Sequence, residues 1–387
     1  MSSIVIQGDT SGSITVEAPS VAGTHTLTLP KATGNIATDA TVGLGTKNLI
    51  INGDMRIDQR NAGSSTTASG YTVDRWRTDE VTDGTLTAQQ VTDAPSGFSY
   101  SYKLTVGTAD TSIASNQYSF TMQKIEANNL SHLNYGTANA KTITLSFWVK
   151  SSITGNYSLV LKNNAQDFSY IHEYTINVAN TWEKKTVTVT GPTSGTWITT
   201  GNSNGLSVLF THAVGSTYAT STLDSWHSSS NILGSTTSTN LFQTSGATWQ
   251  ITAVQLEIGE NATPFENRMY SQELAMCQRY YQEITKTAGY DNVTNASVWQ
   301  TTNAFGVFTW LPMRASPTLT ATFTDFVVRS GGTSYNATGG SFANIRPDRC
   351  QFNLGTSGLT VGRGAWYTFN TDAVTSPPQK IAISAEL

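Results

Sequence analysis

Between Thr142 and Lys150 the side chains change character at every step. Ile143, Leu145, Phe147 and Val149 fall on one phase; Thr142, Thr144, Ser146 and Lys150 fall on the other, with Trp148 among them. A strand places alternate residues on opposite faces, so this set predicts a strand with one buried face. The pattern returns at Tyr157, Leu159 and Leu161, at Tyr174, Ile176 and Val178, and at Val187 and Val189. Further on, Trp249, Ile251 and Ala253 keep one phase while Val254, Leu256 and Ile258 keep the other. A slip of one residue turns a strand's apolar set outward. Either a β-bulge near Ala253 or burial on both faces resolves the conflict. Short alternating strands at this density, separated by polar turns, predict an all-β protein built on a sandwich or jelly roll.

Composition agrees. Charged residues make up 12% of the chain, about half of the usual roughly 25%. Thr, Val, Ile, Tyr and Trp favour strands, and Gly, Asn, Asp and Ser favour the turns between them. The formal net charge is −4 and the 22 basic residues are scattered, with Lys184-Lys185 the only adjacent pair. Nucleic-acid binding needs clustered Lys and Arg, so no nucleic-acid partner is expected. No apolar run reaches the roughly 20 residues that span a bilayer, so no membrane insertion is expected. Met1-Ser2-Ser3-Ile4 opens without a charged or apolar leader, so a signal peptide is not expected and synthesis in a cytoplasm is. Two cysteines, Cys277 and Cys350, allow one disulfide but form no framework; Cys277 reads as a buried free thiol.

Four segments follow. Residues 1–47 form an arm with short β runs at Ile4–Ile6, Ser13–Val16 and Thr26–Leu29. Three such strands bury too little surface to stand alone, so the arm needs other chains or a socket. Residues 48–266 form the sandwich. Residues 267–283 read as a linker helix, with Leu274, Cys277 and Tyr281 at i, i+3 and i+7 and the pair Met276 and Tyr280 beside them. Residues 284–387 return to β structure as a small C-terminal domain.

Two phrases bracket the sandwich: Asn48-Leu49-Ile50-Ile51-Asn52-Gly53-Asp54-Met55 and Val254-Gln255-Leu256-Glu257-Ile258-Gly259. The second continues through Ala262-Thr263-Pro264-Phe265-Glu266 to Leu274–Gln282. With Gly70–Trp76, Ser146–Ser151, Ser216–Trp226 and Phe308–Pro317, this order resembles fibre or receptor-binding proteins of tailed bacteriophages. Their central module is similar to a carbohydrate-binding jelly roll. The segments Ala22–Pro30 and Ala32–Gly34 are similar to a phrase near the attachment ends of such fibres. The resemblance implies that Asn48–Met55 and Val254–Gly259 are the first and last strands of one sandwich, lying side by side. It also implies a homotrimer in the virion, an N-terminal end held by a tail or adaptor protein, and a distal end that meets bacterial surface polysaccharide. Without a coiled-coil or collagen-like repeat, the fibre is expected to be short. A head fibre or capsid decoration protein is the first alternative, and a polysaccharide-degrading tailspike the second.

No catalytic constellation is expected, and the chain reads as a non-enzyme. Gly201-Asn202-Ser203-Asn204-Gly205 matches a nucleophile elbow, but a strand follows it where that motif requires a helix. The five histidines show no metal-ligand spacing. Sugar binding calls for rings with hydrogen-bonding neighbours. Trp299, Trp366, Tyr335 and Trp226 lie in polar surroundings and are the candidate carbohydrate-binding residues; packing in a core or trimer interface is the competing role. Carbohydrate-binding jelly rolls similar to this one often hold a structural Ca²⁺ between their terminal strands. That resemblance makes Asp54 and Glu257 candidate ligands, with solvent-facing charge as the alternative.

Overall fold

The computed structural model describes residues 3–7, 13–17, 47–228, 231–285, 292–370 and 379–387. The chain divides into two compact units, Met1–Leu44 and Gly45–Leu387. In the first, the strands Ser3–Gln7 and Ser13–Glu17 pair antiparallel, with Ile4 opposite Val16 and Ile6 opposite Ile14. The expected run at Thr26–Leu29 and the attachment-like phrase of residues 22–34 lie outside the described residues.

The second unit contains the β-sandwich. One sheet has seven strands in the spatial order Trp226–Ser228, Phe168–Ile176, Gly155–Lys162, Asn204–Val214, Tyr118–Glu126, Trp76–Val81 and Gly70–Val73. The facing sheet has six: Glu183–Val189, Ile143–Ser151, Thr248–Ile258, Ser101–Val106, Leu86–Val91 and Thr66–Thr67. Their order crosses the sequence repeatedly, as jelly-roll connections do. Ile143, Leu145, Phe147 and Val149 are fully buried and meet Tyr157, Leu159, Leu161, Val208 and Phe210 in one core. Asn204 opens a strand directly after the Gly201 turn.

The phase conflict in the last sandwich strand is resolved by a bulge. Register against Ile143–Ser151 shifts between Thr252 and Gln255, and Ala253 takes a φ of 53°. Trp249 and Ile251 before the bulge and Val254 and Leu256 after it are all fully buried. Asn48–Met55 does lie beside this strand, but it is not a strand itself. The Leu49 N–H donates to the Leu256 carbonyl and the Val254 N–H to the Gly53 carbonyl, both at 2.9 Å. Asn52 and Met55 then take φ values of 56° and 59°, which extended backbone excludes. At Gly53 an added Cβ would stand 2.2 Å from the Val254 carbonyl oxygen, so only glycine allows this approach. Arg268 closes the clasp: it donates to the carbonyls of Asn48 and Ile50 and to Glu266, whose carboxylate accepts the Asn48 N–H. The two landmark phrases thus form the seam of the sandwich.

The helix is shorter than its periodicity predicts. It spans Tyr270–Gln278, and Tyr281 opens the strand Tyr281–Thr285. That strand pairs with Lys380–Ser384, and the Ala385 N–H donates to the Tyr280 carbonyl. Arg75 and Arg60 stack on the rings of Tyr280 and Tyr281, each 3.5 Å from the ring centroid. Tertiary pairing and stacking here override the i, i+7 pattern.

Beyond the helix, Lys380–Ser384 is flanked by Tyr281–Thr285 and Thr318–Ala321. A seven-stranded sheet packs with it around Phe308, Phe326, Phe352, Tyr367, Ile381 and Ile383. Cys277 and Cys350 are buried free thiols. Among the described residues, no helix is long and apolar enough to cross a membrane.

Candidate functional site

The strand Tyr118–Glu126 presents an inversion. Its apolar phase, Tyr118, Phe120 and Met122, would ordinarily face the core. Here Thr121 and Gln123 face inward and are satisfied there. The Thr121 hydroxyl lies 2.9 Å from both the Thr78 hydroxyl and His212 Nε2. Gln123 exchanges two 2.8 Å hydrogen bonds with the backbone of Ile51. Burial holds His212 neutral, its pKa pulled down to about 3. With Thr121 and Gln123 paired on the inner face, the apolar phase is left for the outer face.

On that outer face Phe120 and Met122 join Val160, Ile171, Leu209, Ile232 and Leu233 in a second apolar cluster. Above it opens a groove of about 380 Å³. Tyr118 and Phe120 stack in it at 5.6 Å with planes 16° apart, and Tyr218 meets Tyr118 edge-on at 5.3 Å. Four amide side chains, Asn164, Gln166, Asn204 and Asn231, line the same space. Arg77 and Asp79 come from the adjacent strand, where Arg77 is opposite Met122 and Asp79 opposite Phe120. Lys124, Ser207 and Lys162 form a row across three neighbouring strands.

Charge in the groove is unbalanced. Asp79 is its one carboxylate and is taken by Arg77, with contacts of 2.7–3.0 Å. Lys162 is only 4% exposed, and its ammonium donates to the neutral oxygens of Gln166 (2.9 Å) and Asn231 (3.2 Å). Burial, and secondarily Lys124, pull its pKa down to about 8, with Asp79 opposing. Burial likewise lowers Lys124, reinforced by Arg77.

The residues expected from sequence fall elsewhere. Trp299 (50% exposed) and Trp366 (40%) are on the C-terminal sheet. Trp366 faces outward between Asn295 and Arg329, and Phe305 and Val307 are also exposed on this sheet. Trp226 is half-buried in an aromatic nest with Tyr135, Phe168, Tyr170 and Trp197, and its indole N–H donates to the Thr190 carbonyl at 2.7 Å. Tyr335 is half-buried against the C-terminal core.

Asp54 and Glu257 do not fit a shared calcium ion. Asp54 pairs with Arg56 at 3.0 Å in a second recess with Phe98, Tyr100 and Tyr270. Burial raises the Asp54 pKa, with Arg56 opposing. Glu257 is buried and accepts hydrogen bonds from Gln255 (2.8 Å) and from the N–H and hydroxyl of Thr263 (2.9 and 2.6 Å). Calcium takes six to eight oxygens, and these carboxylates are already engaged by protein donors.

Sequence reasoning missed the groove. The available signal was the run Tyr118-Ser119-Phe120-Thr121-Met122-Gln123-Lys124, which alternates but ends its apolar phase on a lysine. A lysine in phase with the rings is what an outward, solvent-edged face would show.

No family model and no curated protein matches the chain. Among solved structures it is similar to the enzymatically active domain of tailspike protein 4 of bacteriophage CBA120. Identity is 16% with a TM-score of 0.30, over 55% of this chain and 22% of that one, so it spans about a fifth of the matched chain. It is also similar to the family 11 carbohydrate-binding module of a Clostridium thermocellum cellulase, at 10% identity and TM-score 0.28, over 53% of this chain and 100% of that one. A third likeness is to a xylan-binding domain from Paenibacillus barcinonensis, at 11% identity and TM-score 0.24, over 52% and 99%. What the groove can bind follows from its own residues.

Proposed function

We propose that this protein is a non-enzymatic, glycan-binding virion protein: a short trimeric tail fibre of a tailed bacteriophage, held by its N-terminal arm. The observation that carries glycan binding is the groove on the seven-stranded sheet. Stacked rings there offer an apolar platform for a sugar face, and four amides can orient its hydroxyls. Asp79 as the lone, ion-paired carboxylate supports binding over hydrolysis, because glycosidases need two carboxyl groups flanking the bond. The fibre role is supported by the landmark phrases, which make the seam of the sandwich and so explain their joint occurrence. The test is titration of the purified chain with surface polysaccharide of the bacterium whose phage encodes it, comparing wild type with Tyr118→Ala. Saturable binding lost in the variant, with polymer length unchanged, is expected. Shortened polymer would make the protein a depolymerase, and binding indifferent to Tyr118 would move the site.

A second reading places recognition on the C-terminal sheet, where Trp366 stands exposed between Asn295 and Arg329. Loss of binding in Trp366→Ala, with Tyr118→Ala unaffected, would favour it.

A further inference from the structure

The groove's charge says more than that a sugar could lie there. Three cations, Arg77, Lys124 and Lys162, line it against one acid, Asp79, in a chain whose formal net charge is −4. Asp79 is committed to Arg77. Among the described residues, neither Lys124 nor Lys162 has an ion-pair partner. Lys162 is the telling case. It is 4% exposed, lines the groove, and rests on two amide oxygens with no counter-charge. Burying a charge unpaired is costly, and proteins ordinarily pair it. Lys124 and Lys162 flank Ser207 on neighbouring strands. At about 4.8 Å per strand, their backbones are about 10 Å apart, a span suited to one sugar ring carrying a charged substituent.

We infer that the groove selects an acidic glycan, placing a carboxylate or phosphate substituent of one sugar residue between Lys124 and Lys162 while the chain runs on along the groove towards Phe120 and Tyr118. This rests on the groove being the glycan site and names the class of glycan it takes. A bound anion supplies the counter-charge that Lys162 lacks and favours the charged form of both lysines, which burial disfavours. Neutral sugars reach the same rings and amides but leave the lysines unpaired.

The test is calorimetric titration of the full chain with three soluble polymers: dextran (neutral), polygalacturonate (carboxylated) and a glycerol-phosphate teichoic acid (phosphorylated). At least one anionic polymer should bind at least tenfold tighter than dextran, with affinity falling as salt is added. The stronger of the two identifies the anion. Lys162→Met should lose at least tenfold for that polymer. Lys162→Arg should retain more affinity than Lys162→Met, and Lys184→Met, on an exposed strand position, should behave as wild type. If Lys162→Met fails to fold, Lys124→Met is the second variant and should show the same loss. Dextran binding as tightly as the anionic polymers, with dependence on Tyr118, would overturn the acidic selectivity and leave the groove as the glycan site. Binding of an anionic polymer that survives both Tyr118→Ala and Lys162→Met would overturn the groove assignment itself.

Discussion

Glu386→Gln tests what joins the sandwich to the last strand. Arg75 is 1% exposed and its guanidinium lies over the Tyr280 ring. It donates to the Lys124 carbonyl at 2.7 Å and to the Glu386 carboxylate. Arg60 reaches the same carboxylate at 2.7 Å. Removing the negative charge leaves Arg75 buried with one carbonyl and one ring face. Breaking a buried pair from one side costs about 3–5 kcal/mol. Glutamine keeps one acceptor oxygen, and Arg60 retains the Tyr281 ring, so the lower end, about 3 kcal/mol, is expected. At on the order of 2 °C per kcal/mol for a unit of this size, the melting temperature should fall by roughly 6 °C. Urea unfolding followed by tryptophan fluorescence, with calorimetry alongside, reads both quantities. Adding Arg75→Met should recover much of the loss, because it removes the cation that Glu386→Gln leaves buried without a counter-charge. A loss below about 1 kcal/mol in Glu386→Gln, or a double variant as weak as the two single losses added together, would refute this reasoning.

Three more predictions are open to measurement. Gly53→Ala should destabilise the sandwich by about 1–3 kcal/mol, the usual cost of overpacking, because its Cβ meets the Val254 carbonyl. Gly339→Ala, with no atom near its added Cβ, should be close to neutral in the same melting assay, and equal shifts would contradict the seam. The folded pKa of Lys162 near 8 lies below the usual 10.5. Between those values the unfolded chain holds a proton that the folded chain has released, so stability rises with pH across that window. The stability difference between Lys162→Met and wild type should therefore favour the variant below pH 8 and shrink as pH approaches 10.5; parallel curves would count against it. Finally, light scattering should give a three-chain mass, and deletion of residues 1–47 should leave the sandwich folded while abolishing incorporation into particles. A monodisperse full-length monomer, or particles that retain the truncated chain, would defeat the fibre assignment.

What the sequence determined by itself was the alternation of the central sandwich strands. Ile143 to Val149 alternate because one face is buried, and the structure buries all four apolar positions. The clash of phases between Ile251 and Val254 demanded a bulge or two buried faces, and the bulge sits at Ala253. These are local consequences of a period of two, so a single chain segment contains the information. Which face of a strand points inward is not local. Tyr118, Phe120 and Met122 face outward because Thr78, His212 and the Ile51 backbone satisfy Thr121 and Gln123 inside. None of those partners is nearer than 43 residues in sequence. The helix ends at Gln278 for the same kind of reason, since Arg60, Arg75 and the Lys380–Ser384 strand claim Tyr280, Tyr281 and the backbone beyond. The groove is the extreme case. Its cations come from Arg77, Lys124 and Lys162 on three strands of one sheet, with Asn204–Val214 between the two lysine strands, an order that only the sheet crossovers create. Alternation could place each lysine on a face; only the tertiary order of strands could place two of them on either side of Ser207 without a counter-ion.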